Sequence, residues 1–459
     1  MGLFGTDGVR GVAGRDLHAR LAISLAAAAA HVLGGEHAGS ARPFAVVGRD
    51  PRASGEFLEA AVVAGLAENG IDVLRLGVIP TPGVAYLTDV LGADFGVMLS
   101  ASHNPAPDNG IKFFGWGGVK LPDDVEDAIE ARMAAQAETA GGPGIPAAGF
   151  GRVRDAAHEA ERYLTHLLST VSETNSALSR SAGPLAGLRI VVDCAHGAAY
   201  ALAPRLLAEA GAGVVAIGVE PDGININAGY GSTSLGALQA AVTKHGADAG
   251  IAYDGDADRC LAVDAAGEVI DGDQILAILA LALSESGRLA GGTVVASVMA
   301  NLGFRLAMSQ AGIDVVETPV GDRYLIAAML DGKFVLGGEQ SGHIIMLDHA
   351  STGDGMLTSL QLLATAAASG RSLSELAAVM TRVPQVLVNV HDVRKDRVAK
   401  SAEVATAVAD AAAELGESGR VLVRPSGTEP AVRVMVEAVD SDQAHKVADR
   451  LAEIVRTAG

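Results

Sequence analysis

The segment Asp254-Gly255-Asp256-Ala257-Asp258-Arg259 places three carboxylates at alternate positions, directly after an apolar stretch that ends at Tyr253. Carboxylates spaced this way in a turn can converge on one cation, and an oxygen-only donor set suits a hard ion such as Mg²⁺. An EF-hand loop is excluded. Its sixth position requires Gly and is Arg259, and its twelfth requires a bidentate Glu and is Ala265. Two other readings stay open: an acidic solvated turn, and a phosphatase-like site in which Asp254 itself is phosphorylated.

Three further segments carry polar chemistry at the ends of apolar runs. Ser100-Ala101-Ser102-His103-Asn104-Pro105 follows Phe95–Leu99 and offers a hydroxyl nucleophile beside an imidazole, with Lys112 shortly after it. Alone, this segment reads equally well as a capped turn. Gly338-Glu339-Gln340-Ser341-Gly342-His343 offers Glu and Ser partners for sugar hydroxyls and a His for proton transfer. Arg424-Pro425-Ser426-Gly427-Thr428-Glu429-Pro430, with Arg433 beyond it, combines guanidinium forks with the amides and hydroxyls of an anion nest. Each of these is a plain polar or Gly/Pro turn when taken in isolation. A Walker A loop is absent, since Gly332-Lys333 runs into Phe334, and His158-Glu159 has no second His at zinc-protease spacing.

Bulk composition narrows the partners. Acidic residues number 54 against 34 basic ones, a formal charge of -20, which argues against nucleic acid and against an anionic membrane surface. A phosphorylated small substrate remains compatible if its basic partners cluster in loops. Cys194 and Cys260 are far apart and in no metal-binding spacing, as expected of a reduced compartment. No apolar run approaches the roughly 18 residues of a membrane span. Leu21–Ala30 resembles a signal core, but Asp7 and Asp16 precede it and His31 follows, so it reads as a buried Ala-rich helix. Met1-Gly2 with Thr6 meets only the permissive myristoylation pattern. A cytoplasmic location is expected.

Stepping these residues into position requires layered α/β elements. Apolar β-branched runs alternate with Ala/Leu-rich helical stretches, which predicts strands at Phe44–Gly48, Asp72–Leu76, Phe95–Leu99, Leu188–Asp193, Gly213–Ile217, Gly250–Tyr253, Thr293–Ser297, Asp314–Glu317 and Phe334–Leu336. Ligands in such sheets sit beyond the carboxyl ends of strands, where these loops lie. With aromatics at 3%, the cores must be aliphatic. Length alone suggests about three domains. Breaks at the Gly/Pro-rich Ala140–Gly151, at Cys260–Asp273 and near Gly370 divide the chain instead into units 1–152, 153–260, 261–370 and 371–459. The last unit reads strand, helix, strand, strand, helix around Gln385–Val390, Val421–Val423 and Val432–Glu437.

The four loops, in this order, resemble those of the α-D-phosphohexomutase superfamily over essentially the whole chain. Phe4-Gly5-Thr6-Asp7-Gly8-Val9-Arg10-Gly11 and Gly338–His343 resemble its bacterial amino-sugar branch. The phosphomannomutase/phosphoglucomutase branch tends to differ in both places and is the alternative. The resemblance implies an α/β fold of four domains around a central cleft: three similar α/β domains with mixed sheets and a smaller C-terminal α+β domain. It implies a phosphate carried on Ser102 that shares one Mg²⁺ with Asp254, Asp256 and Asp258. Lys112 and His343 would transfer protons, with His103 and Arg10 around the phosphoserine loop. Glu339 and Ser341 would hold ring hydroxyls. The segment containing Thr318, Gly321, Asp322 and Arg323 would sense substrate orientation. Arg424, Ser426, Gly427, Thr428 and Arg433 would grip the phosphate that is not reacting.

The implied substrate is a phosphorylated hexosamine. Glucosamine 6-phosphate and glucosamine 1-phosphate would interconvert through glucosamine 1,6-bisphosphate, which also serves as activator, and so feed UDP-N-acetylglucosamine and cell-wall precursors. Related bacterial enzymes are often homodimers. The first phosphate could reach Ser102 from an activating kinase, from the enzyme itself or from a bisphosphate. The whole reading demands that the Ser102 hydroxyl lie within about 6 Å of the point where the acids converge, as a bridging ester at hard-cation bond lengths requires.

Overall fold

The computed structural model describes residues 2–5, 7–34, 42–138, 149–172, 183–425 and 431–459. Among the described residues, the strands form four sheets. The first contains β1 (Val9–Val12), β2 (Phe44–Arg49), β3 (Asp72–Val78), β4 (Phe95–Leu99), β5 (Asp108–Phe114) and β6 (Val153–Asp155), in the order β1-β5-β4-β2-β3-β6. Here β2, β3, β4 and β6 are parallel, while β5 runs antiparallel to β4 and β1. Strand β4 is buried at all five positions. A parallel strand covered on both faces should show such an unbroken apolar run. The Ala-rich stretch is the helix Ala19–Leu33, with Ala22, Ala26 and Ala29 in the core against the helix Ala53–Glu68.

The second sheet holds β7 (Arg189–Asp193), β8 (Gly213–Ile217), β9 (Ala249–Tyr253), β10 (Cys260–Asp264) and β11 (Val269–Ile270), in the order β11-β10-β9-β7-β8. The third holds β12 (Thr293–Ser297), β13 (Asp314–Thr318), β14 (Leu336–Gly338) and β15 (Ile344–Met346), in the order β13-β12-β14-β15. Both mix parallel with antiparallel pairs.

Several details differ from the sequence expectations, each for a readable reason. Strand β5 was not expected, because Asp108, Asn109 and Lys112 break its apolar pattern; these polar side chains pair with Asn104, Ser54 and Asp256. The segment Cys260–Asp273, read as a break, instead adds β10 and β11 to the second sheet, so that sheet runs past residue 260. Likewise β6 pairs with β3 and carries the first sheet past residue 152. Its three residues are all exposed, so no hydrophobic alternation marks it. The strand expected at Phe334–Leu336 is β14, two residues later. A Cβ on Gly337 would lie 2.6 Å from Met329 Sδ, a close approach that glycine accommodates without repacking. Of the Gly/Pro-rich connector Ala140–Gly151, residues 140–148 lie outside the described residues.

The chain divides into two compact units, Met1–Val298 with Ile313–Ala378, and Met299–Gly312 with Val379–Gly459. The first carries the three mixed sheets. The second carries an antiparallel sheet of β16 (Gln385–His391), β18 (Ala431–Ala438) and β17 (Gly419–Pro425), with β18 central. The amphipathic helix Ser441–Ala458 buries Ala444, Val447, Ala448, Leu451 and Val455 in its core.

Glu437 is fully buried within this second unit. Its carboxylate accepts from Arg420 Nε at 2.9 Å, Asn301 Nδ2 at 3.0 Å and the Leu302 amide at 3.2 Å, pinning the start of the helix Leu302–Gln310. Glu437→Ala would leave Arg420 uncompensated, and breaking a buried pair from one side costs about 3–5 kcal/mol. We expect an early unfolding transition of this unit in urea, while Arg420→Lys costs less. No helix among the described residues is long and apolar enough to cross a membrane.

Candidate active site

The chain leaves β4 at Leu99 and enters a tight loop in which Ser102 adopts a left-handed backbone, φ 52°. That conformation is disfavoured for a non-glycine residue by roughly 1–2 kcal/mol, so its surroundings must impose it. Ser100 Oγ donates to Asp50 at 2.6 Å and accepts the Ser102 amide at 3.0 Å. Arg52, wholly buried and ion-paired with Asp50, donates to the carbonyls of Ser102 at 3.1 Å and Asn104 at 2.6 Å.

The acidic loop leaves β9 at Tyr253 and packs directly against Ser102. A Cβ on Gly255 would stand 2.5 Å from the Ser102 carbonyl oxygen, so the residue between the first two aspartates must be glycine. Ser102 Oγ donates to Asp254 Oδ2 at 2.5 Å, well inside the limit set above. Asp254, Asp256 and Asp258 are all buried, and their ligand oxygens lie within 4.8 Å of one another. Asp256 Oδ1 and Asp258 Oδ1 are buried without a hydrogen-bond partner among the described residues. Burial of acid oxygens is costly, and Arg259, 3.7 Å from Asp258 Oδ1, and Lys112, on Asp256, leave three carboxylates short of charge balance. The all-oxygen donor set therefore fits one hard divalent cation. Burial and repulsion from Asp258 and Asp256 push the Asp254 carboxyl well above its ordinary range. At Asp256 burial pushes the same way, but Lys112 and the Thr81 hydroxyl, 2.6 Å from Oδ2, outweigh it and hold the carboxyl low.

Lys112 projects from β5, buried, with Nζ 2.9 Å from Asp256 Oδ2 and 2.8 Å from Asp7 Oδ2. Burial disfavours its charge, but Asp256 and Asp7 reverse that and keep it an ammonium. Opposite charges continue from there. Asp7 pairs with Lys120 at 2.5 Å, Lys120 with Asp322, and Asp322 Oδ2 lies 3.7 Å from His343 Nε2. His343 Nδ1 in turn faces Asp258 Oδ2 at 3.6 Å, which closes the chain on the acidic loop. The imidazole is buried, and a Cβ on Gly353 would stand 2.4 Å from its Cε1.

The remaining expected residues fall as follows. His103 Nδ1 is 3.4 Å from Ser102 Oγ, and burial with Arg259 and Arg10 nearby lowers its pKa. Arg10 pairs with Asp7 at 2.5 Å. Glu339 accepts from the Gly321 amide at 3.2 Å and from Ser341 Oγ at 3.4 Å, which joins two of the expected sugar-side segments. Thr318 is buried at the end of β13, its hydroxyl on the Pro319 carbonyl at 3.0 Å. Arg323 reaches to Asp123 and lies 3.7 Å from Glu126. In the second unit Arg424 and Arg433 are directly opposed across β17 and β18. Ser426, Gly427 and Thr428 lie outside the described residues.

Asp7, Lys120, Thr81, Arg52 and Asn227 were not given roles from sequence. Lys120 carried a weak signal, as a lone charge between Val119 and Leu121. The others join the site only through long-range packing.

Known proteins resemble the chain over its full length. Family models for phosphoglucomutase/phosphomannomutase match in chain order: alpha/beta/alpha domain I at residues 1–140, domain II at 161–267, domain III at 271–383 and the C-terminal domain at 387–454. A phosphoglucosamine mutase of Thermobifida fusca is 63% identical over 454 residues, covering 99% of this chain and 98% of that protein. The crystal structure of a phosphoglucomutase/phosphomannomutase family protein from Burkholderia thailandensis superposes with a TM-score of 0.80 at 24% identity, covering 99% of this chain and 97% of that one. That of Aspergillus fumigatus N-acetylphosphoglucosamine mutase, in complex with GlcNAc-6P and magnesium, gives 0.69 at 19% identity, over 99% and 96% of the two chains. The likenesses to solved structures speak for the fold, and the full-length identity speaks for the family. The chain belongs to the phosphoglucosamine mutase family, isomerases of the α-D-phosphohexomutase superfamily.

Proposed function

We propose that this protein interconverts glucosamine 6-phosphate and glucosamine 1-phosphate through a phosphate carried on Ser102 and glucosamine 1,6-bisphosphate. The observation that carries the proposal is the 2.5 Å approach of Ser102 Oγ to Asp254 within a buried cluster of three aspartates. Asp254, Asp256 and Asp258, with the phosphate on Ser102, would hold one Mg²⁺. When bound, that ion supplies charge neutralisation to the phosphoryl oxygens. The magnesium named with the Aspergillus structure supports this choice of ion.

In the first half-reaction the bond from phosphorus to Ser102 Oγ breaks as the bond to the sugar hydroxyl oxygen forms. Lys112, held as an ammonium, gives its proton to Ser102 Oγ, and His343 takes the proton of the attacking hydroxyl. The bisphosphate then turns over and returns its other phosphate to Ser102, with the proton movements reversed. Arg424, Ser426, Gly427, Thr428 and Arg433 anchor the phosphate that is not reacting, and Thr318, Gly321, Asp322 and Arg323 read the ring's orientation. Most of the acceleration in such chemistry comes from positioning and charge stabilisation.

Because the sugar binds in two orientations, Glu339 and Ser341 must meet hydroxyls that superimpose when the ring flips. Glu339→Ala should raise KM, lower kcat, and reduce kcat/KM by about 10- to 100-fold in both directions, the size of a lost hydrogen bond to a charged acceptor. Loss in one direction alone would contradict the shared contact.

The deciding experiment is a coupled assay of glucosamine 6-phosphate formation from glucosamine 1-phosphate, with and without Mg²⁺. We expect kcat/KM for glucosamine 1-phosphate to exceed that for glucose 1-phosphate. The reverse order would favour a phosphomannomutase/phosphoglucomutase instead. Glucosamine 1-phosphate, formed in the opposite direction, would supply UDP-N-acetylglucosamine and cell-wall precursors.

A further inference from the structure

Two donors meet two acceptors beneath the loop that carries Ser102. The acceptors are the carbonyl oxygens of Ser102 and Asn104. Arg52 donates to both from within the first domain. Asn227 donates to both from the other side, Nδ2 lying 2.9 Å from the Ser102 oxygen and 3.0 Å from the Asn104 oxygen. Asn227 belongs to the chain between β8 and β9, in the same sheet unit as the acidic loop, and its own amide is tied to the Ala195 carbonyl at 2.9 Å. Its backbone is also left-handed, φ 62°, a conformation that Asn tolerates better than most residues. A Cβ on Gly255 would lie 2.9 Å from the same Nδ2, so the amide is wedged between the acidic loop and the serine loop.

The two donors therefore do different work. Arg52 shapes the loop within its own domain. Asn227 sets where that shaped loop stands relative to Asp254. We infer that Asn227 is a positioning residue for phosphoryl transfer, fixing the backbone of Ser102 in register with the aspartate loop. The inference rests on the reading of Ser102 as the phosphate carrier. In-line transfer is sensitive to such register, since displacements near 1 Å cost about 100-fold. Asn227 Nδ2 holds backbone carbonyls of the loop and not Ser102 Oγ, so its removal should slow the transfer itself and leave substrate affinity alone.

The test uses the full-length protein labelled with ³²P and mixed with glucosamine 6-phosphate in a single turnover. Asn227→Gly keeps the left-handed backbone and deletes the donor, while Asn227→Asp keeps the shape and turns a carboxylate toward two carbonyls. We expect transfer from the labelled enzyme to slow about 10- to 100-fold in both variants, more in Asn227→Asp. KM should stay within about twofold, and amide exchange at residues 100–104 should accelerate while the melting temperature changes little. Should Asn227→Gly fail to fold, Asn227→Asp decides alone, with Asn227→His as the variant that retains a donor and recovers part of the rate. Transfer within twofold of wild type, or a raised KM with transfer intact, overturns the inference. The labelled peptide separates the two levels. Label on Asp254 sinks the carrier reading and this inference with it. Label on Ser102 with unimpaired transfer sinks only the role of Asn227.

Discussion

Ser102→Ala lowers mutase turnover by about 10⁴- to 10⁶-fold, the loss expected when a covalent carrier is removed and binding groups remain. The hydroxyl is the atom that receives and returns phosphate in the proposed cycle, and it donates at 2.5 Å to Asp254 Oδ2. The variant should fold normally, because Ser100, Arg52 and Asn227 hold the loop through backbone groups of residue 102 that alanine retains. Its left-handed φ is no harder for alanine than for serine. The measurement is a coupled assay together with phosphopeptide mapping of labelled wild type. Retained label in Ser102→Ala, mapped to Asp254, would reverse the assignment in favour of a phosphatase-like aspartate.

Lys112→Met lowers kcat by about 10²- to 10⁴-fold, the range for loss of a positioned proton-transfer group. It carries a second penalty that distinguishes it from Ser102→Ala. Lys112 is the buried counter-charge to both Asp7 and Asp256, at 2.8 and 2.9 Å. Its removal from a buried pair should cost about 3–5 kcal/mol of stability. Lys112→Arg keeps the charge, and so should recover most of the stability while recovering little of the rate, because guanidinium is a far weaker acid. Thermal melting and kcat measured on the same three proteins separate the two roles. Equal stability in the wild type and Lys112→Met would show that the ion pairs contribute nothing net.

The candidate groups were legible before any fold because each motif follows an apolar strand, three of them in mixed sheets and the arginine loop in the antiparallel one. The three aspartates at alternate positions, the serine after Leu99 and the polar turn with Glu339, Ser341 and His343 could each be found from side-chain type and spacing. Strand β5 was harder to see. Its buried Asn109 and Lys112 answer to Ser54, Asp7 and Asp256 rather than to an alternation along the strand. The first two sheets run past the expected breaks for a related reason. Composition senses solvent exposure, whereas a short exposed strand such as β6 is defined by backbone pairing alone.

Residue order was enough to establish the layered α/β class, the aliphatic cores and the kinds of group available for phosphate and cation, because burial and donor chemistry are local properties of side chains. Which of those groups meet could not be read there. The ion chain from Asp256 through Lys112, Asp7 and Lys120 to Asp322, and the Asn227 amide under Ser102, join residues more than a hundred positions apart. Electrostatic pairing and in-line geometry depend on distances of a few ångströms, and only the packing of separate sheets against one another sets those.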